Sequence, residues 1–228
     1  MALLWSRWVL YLFYLFKIVI MTKEAFVFID GNNLYHNLKD IDIKPSNLNF
    51  FKFCDLICKH FNVKRNHIIY YNSIPRRNNP NHYEHKEFLD DLENNGIEVK
   101  RRKLQIVSNI FKVKFLELIG DMGLCDICKP IAIKSLIESV NETVEKEKGI
   151  DVMIAVDVIQ KTVDKECDYC IVVSGDADLV SAMKFAEIKG GKIFSAFLDC
   201  KGYSDEIKMN FQYFKIEKKE LMKSCLKI

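Results

Sequence analysis

Two aspartates stand one residue apart in "CIVVSGDADLV", residues 170–180, directly after an apolar run. Asp176 and Asp178 put paired negative charge at the end of what reads as a buried strand. Asp30 ends another apolar run, "AFVFID" at 25–30. Asp151 follows Gly149 at the head of "IDVMIAVDVIQKTVD". Carboxylates brought to one place repel each other, and unless their pKa values rise they need a cation. An all-oxygen donor set favours Mg²⁺ or Mn²⁺ over zinc. Such a cation activates water and stabilises charge on a phosphate, which is the chemistry of phosphodiester hydrolysis. Taken singly, an aspartate after a strand is more often a cap or turn residue, and Asp178 fits the first turn of the next helix. The metal reading rests on "FIDGNN", "KGIDV" and "SGDAD" occurring in one chain.

These acids need a scaffold that brings distant segments to one edge. From residue 24, short apolar runs alternate with helical stretches. Strands are expected at 25–30, 67–72, within 97–107, at 111–118, at 169–175 and in "KIFSAFL". Helices are expected at 47–60 with Asn47 as N-cap, 79–96, 131–147, 150–164 and in "DLVSAMKFAEIKGG". Residues 119–130 read as a loop and the tail as mixed and helical. Strands separated by such helices imply βαβ units, a mainly parallel sheet and helices on both faces. Ligands of such sheets bind outside the carboxyl ends of the strands, where strand order reverses. If strands 25–30 and 169–175 are neighbours there, Asp30 and Asp176 share a crevice. On helix 150–164 an apolar stripe of Val152, Ala155, Val156, Ile159 and Val163 is expected to face the core. Asp151 lies at its margin and Asp157 well round from it.

The segments "VFIDGNNLYHNL", "EKGIDVMIAVDVI" and "CIVVSGDADLVSAMKFAEIKGGKI", in this order, resemble the NYN domain, and specifically its LabA-like branch within the PIN-like nuclease superfamily. "YYNSIPRRNNPNHYEHKEFLDDLENNGIEVKRRKLQ" resembles the branch's middle section, so the likeness covers residues 24 to about 200. The resemblance implies a PIN-like three-layer α/β/α sandwich and a metal-dependent ribonuclease acting on RNA. It implies an acidic cluster of Asp30, Asp151, Asp176 and Asp178. Asn33 would position water or an acidic side chain, Ser174 matches the motif serine, and Asp157 matches a further acid held second. The alternative is a non-catalytic RNA- or protein-binding module of the same fold; a DNA-directed nuclease or phosphatase would use the same acids. A homodimer extending the groove is expected by analogy only. The stretch from 107 to 148 is longer than the branch pattern and reads as an insertion in a single domain over 22–228.

Basic residues fall near the same edge. Arg76 and Arg77 follow strand 67–72, and Lys100 and Arg101 stand at the end of the next one. They suit a nucleic-acid backbone, and Tyr71 suits base stacking; a solvated surface with buried tyrosines is the competing reading. Net charge is only +3 over 228 residues, which permits a nucleic-acid partner without requiring one. Eight cysteines at irregular spacing favour reduced thiols and a cytoplasmic protein over a disulfide framework. Cys125/Cys128 and Cys167/Cys170 form two Cys-x-x-Cys pairs. A four-cysteine zinc site is disfavoured because Cys170 belongs to a buried strand.

The first 21 residues, "MALLWSRWVLYLFYLFKIVIM", are nearly all apolar. The clean run from Trp8 to Phe16 is shorter than the ~20 residues a bilayer requires. No small-x-small cleavage site follows, which weakens a signal-peptide reading. Either translation starts at Met21, or the leader is extraneous, or it anchors the protein at a membrane.

Overall fold

The computed structural model describes residues 23–108, 110–139, 143–146, 148–200 and 203–227; the apolar leader lies outside them. In chain order the elements begin with β1 (Glu24–Asp30), α1 (Gly31–Asp40), α2 (Phe50–His60), β2 (Lys64–Ile74), α3 (His82–Asn94) and β3 (Glu98–Lys103). There follow β4 (Gln105–Ser108), α4 (Ile110–Asp121), α5 (Cys128–Ser139), β5 (Thr143–Lys146) and α6 (Ile150–Val163). The chain continues with β6 (Tyr169–Val173), α7 (Val180–Ile188), β7 (Lys192–Leu198), α8 (Asp205–Asn210), β8 (Gln212–Ile216) and α9 (Lys218–Ser224). Two compact units result: residues 23–72 with 87–101 and 150–227, and residues 73–86 with 102–149.

The larger unit is built on a six-stranded parallel sheet, ordered β3-β2-β1-β6-β7-β8 and flanked by helices. This is the α/β sandwich expected from the sequence. The chain steps outward from β1 through β2 to β3, then returns to the other side of β1 and steps outward again. The order therefore reverses between β1 and β6.

Alternation along the strands supplies both faces of the sheet. Phe28, Ile69, Tyr71, Cys170 and Val172 pack on one face with Ile150, Ile154 and Val158 of α6 and with Val180, Met183 and Ala186 of α7. On other strand positions, Tyr70 meets Phe50 of α2 edge-on at 5.5 Å and Phe194 of β7 stacks on Phe61 at 4.4 Å. Burying each large apolar side chain contributes about 1.5–3 kcal/mol.

The structure corrects the expected face of α6. Val152, Val156 and Val163 are exposed, and the buried row is Ile150, Ile154, Val158 and Thr162. The helix is apolar nearly all round, so its 3.6-residue period does not single out the inward face. Three further corrections lie elsewhere. Residues 111–118 are helical, because "FKVKFLEL" alternates only briefly and its Phe, Leu and Lys residues suit a helix too. The tail contains strand β8, which pairs with β7 at the sheet edge. N-capping of α2 falls to Asn49, which accepts from the Lys52 amide, while Asn47 closes a short 3₁₀ turn.

The smaller unit holds α4, α5 and the antiparallel pair β4–β5, and takes in the expected insertion. Among the described residues no helix is long and apolar enough to cross a membrane.

Candidate functional site

The register of β1 and β6 brings the first two motifs together. Ile29 pairs with Val173, so the next residues along, Asp30 and Ser174, emerge side by side at the carboxyl edge. Both are buried, Asp30 at 4% and Ser174 at 1% exposure. Ser174 Oγ donates to Asp30 Oδ2 at 3.0 Å, and Asp30 Oδ1 accepts from the Asn33 amide at 3.0 Å, capping α1. A buried carboxylate tolerates desolvation only when such donors hold it.

Asn33 extends the same lattice. Its Oδ1 accepts from the Gly175 amide at 3.3 Å and from Asn37 Nδ2 at 2.9 Å. Ser174 Oγ also accepts from the Asp176 amide at 3.2 Å. The side chains of "DGNN" thus hold the "SGDAD" loop directly. Asn37 was not singled out in the sequence, although its i, i+4 spacing from Asn33 was a usable signal. Gly31 has a packing role: a Cβ there would stand 2.6 Å from the Tyr70 ring and from the Tyr71 carbonyl oxygen. Only glycine lets β1 turn into α1 at this approach.

Of the two loop acids, the cap is Asp176 rather than Asp178. Asp176 accepts from the Asp178 amide at 3.0 Å and opens the 3₁₀ turn Ala177–Leu179. Asp178 is exposed. Asp151, in the first turn of α6, is half-buried. Its carboxyl lies above the ordinary value, through desolvation first, then the charge of Asp176, with Asp178 adding to it. Asp151, Asp176 and Asp178 therefore share one electrostatic neighbourhood, and Asp30 is tied to it through Ser174.

Asp157 belongs to a different arrangement. Its Oδ2 accepts from the Tyr71 hydroxyl at 2.6 Å and from Lys100 Nζ at 2.5 Å. Tyr71 is wholly buried, and burial followed by its bond to Asp157 pushes its phenol well above the usual value, so it stays a donor. That burial leaves no ring face for a base and corrects the stacking role expected for Tyr71. Lys100 is committed to Asp157 and Glu98, and Arg101 to Asp90 and Glu93. These two cations serve to hold α3, β3 and α6 in place. Arg76 and Arg77 follow β2 and belong to the smaller unit.

Cys167 and Cys170 are buried, with Cys167 Sγ donating to the Tyr169 carbonyl at 3.0 Å, whereas Cys125 and Cys128 are exposed in the smaller unit. Among the described residues, no three His, Cys, Asp or Glu side chains are gathered as a ready metal group. The donor chemistry nonetheless suits a hard cation. The acids around Asp151 offer only oxygen, and their mutual charge is what a divalent ion would neutralise.

A sandwich whose strand order reverses between two acid-bearing strands defines a class of α/β proteins with a site at the switch point. A family model, the NYN domain, a domain of the PIN-like nuclease superfamily, matches residues 114–216. The match includes Asp151, Asp157, Ser174, Asp176 and Asp178; Asp30 and Asn33 precede it. The chain is also similar to a crystal structure of a protein of unknown function from Vibrio parahaemolyticus RIMD 2210633. The TM-score is 0.55 at 16% identity, covering 91% of this chain and 98% of that one, a likeness of fold alone. No curated protein matches the chain.

Proposed function

We propose that this chain is a metal-dependent ribonuclease of the LabA-like NYN type, hydrolysing RNA phosphodiester bonds at the β1/β6 switch point. The reading is supported by the Ser174–Asp30 bond, which joins the carboxyl ends of β1 and β6, and by Asp151's carboxyl, raised first by desolvation and then by the charge of Asp176. The four aspartates would hold the ion; Mg²⁺ or Mn²⁺ would supply water activation and charge neutralisation at the phosphate. A carboxylate oxygen that accepts one hydrogen bond retains capacity to ligate.

The chain's own residues have separable duties. Asp30 fixes the edge of β1 and would be the buried acid of the site. Ser174 and Asn33 hold the Gly175–Asp176 backbone in place, so the loop acids need no large rearrangement at the moment of reaction. Asp157 holds Tyr71 and Lys100 and does not meet substrate. Arg76 and Arg77 remain the proposed contacts to the RNA backbone.

A second reading, a binding module without catalysis, is favoured by one observation: the absence of a ready three-ligand metal group among the described residues. Labelled RNA and DNA, incubated with and without Mn²⁺, separate the readings. Mn²⁺-dependent cleavage of RNA in preference to DNA supports the ribonuclease; binding of RNA without cleavage under all conditions supports the module.

A further inference from the structure

The sequence carries Cys-Asp-x-Cys twice, and the two copies are in opposite surroundings. Cys167 and Cys170 are buried beside β6, packed with the core. Cys125 and Cys128 are both free and exposed, with Cys128 the first residue of the twelve-residue helix α5. The Cys128 amide donates to Cys125 Sγ at 3.3 Å. Helix-opening amides favour negative charge on the sulfur they face. Among the described residues no third Cys, His, Asp or Glu joins the pair to make a metal group. An exposed Cys-x-x-Cys pair, the first sulfur accepting from the amide of the second cysteine, is suited to thiol–disulfide exchange.

We propose that Cys125 and Cys128 form a redox-active dithiol that exchanges with disulfides of the glutathione type, Cys125 attacking and Cys128 resolving. The hydrogen bond from the Cys128 amide, and then that from its thiol, lower Cys125 from its ordinary value, and the thiol contact raises Cys128. The assignment of roles follows, because the thiolate is the nucleophile.

The Cys125 thiolate attacks one sulfur of the external disulfide, forms a mixed disulfide and expels one thiolate. Cys128 loses its proton to that leaving thiolate. Its sulfur then attacks Cys125 Sγ, forming the Cys125–Cys128 bond and expelling the second thiolate, which takes from water the proton that Cys125 had given up. The protein dithiol is oxidised by two electrons and the external disulfide is reduced to two thiols. Cys-x-x-Cys spacing at the start of a helix, with Cys125 Sγ held 3.3 Å from the Cys128 amide, permits the ring. This site is independent of the ribonuclease reading.

The full chain is equilibrated in reduced and oxidised glutathione, quenched with N-ethylmaleimide and peptide-mapped by mass spectrometry. The expected result is a Cys125–Cys128 disulfide at ratios that leave Cys167 and Cys170 reduced. Cys128→Ser then traps one glutathione on Cys125, and Cys125→Ser accumulates adduct on Cys128 about tenfold more slowly at neutral pH. Both cysteines are exposed, so circular dichroism of the two variants should match the parent. Equal trapping rates overturn the proposal, as does failure of the internal disulfide to form. Thiols that resist N-ethylmaleimide until a chelator is added also overturn it, because they then hold a metal.

Discussion

Ser174 donates its hydroxyl to the buried carboxylate of Asp30 across 144 residues of chain. That bond fixes the carboxyl ends of β1 and β6 against each other, and the same hydroxyl accepts from the Asp176 amide. Removing Ser174's hydroxyl takes one donor from a buried carboxylate, whereas removing Asp30 also uncaps α1. Ser174→Ala is expected to cost about 1–2 kcal/mol and Asp30→Ala about 2–4 kcal/mol in urea unfolding. A double-mutant cycle should return a coupling of at least about 0.5 kcal/mol. Strict additivity would show that the bond carries no energy.

Gly31 stands where β1 becomes α1. Because a Cβ there meets the Tyr71 backbone as well as the Tyr70 ring, neither neighbour can yield cheaply. Gly31→Ala is expected to lower stability by about 3 kcal/mol, at the upper end of overpacking costs. A thermal melt shifted by less than a degree would contradict this packing.

Asp151 sets a stability that depends on pH and metal together. Its folded carboxyl is raised, first by desolvation and then by Asp176, so ionising it is harder folded than unfolded. The stabilising share is fully present below the unfolded carboxyl range and is lost as pH rises through the raised folded value. Asp151→Asn should therefore raise the melting temperature near pH 7 without metal and flatten its pH dependence over the acidic range. Mn²⁺ should raise the melting temperature of the parent more than that of Asp151→Asn, by mass action. A variant less stable than the parent at pH 7 without metal would contradict the repulsion.

Asp157 gives the opposite pattern. Its Tyr71 and Lys100 partners are buried or half-buried, so Asp157→Ala should cost about 2–4 kcal/mol by leaving both donors unmet. Cleavage per folded molecule should change less than about threefold. A loss of activity as large as that of an Asp176 variant would return Asp157 to the site.

Much of this was legible in the sequence, for a definite reason. Asp30 is readable because it terminates a run of buried strand residues, and parallel register then sets it beside Ser174, which follows the second run. The role of Gly31 is foreshadowed by its position after Asp30, although the clash with Tyr70 needs the fold. The partners of Tyr71 and Lys100 are 86 and 57 residues away on another element, and no local pattern announces them. The inward row of α6 is hidden because valines and isoleucines surround the helix, and only packing against β1 and α7 picks Ile150, Ile154 and Val158. Asp178 falls in the first turn after the strand, as its spacing allows, while the cap itself is Asp176.

The central claim is that the switch-point aspartates hold a cation for RNA hydrolysis. Single-turnover cleavage of end-labelled RNA, measured across a Mn²⁺ titration for the parent, Asp30→Asn and Asp176→Asn, tests it most directly. The account predicts cleavage that rises with Mn²⁺, disappears with EDTA and falls by about a hundredfold or more in both folded variants. Cleavage at the parental rate in both variants, or undiminished by EDTA, would contradict it.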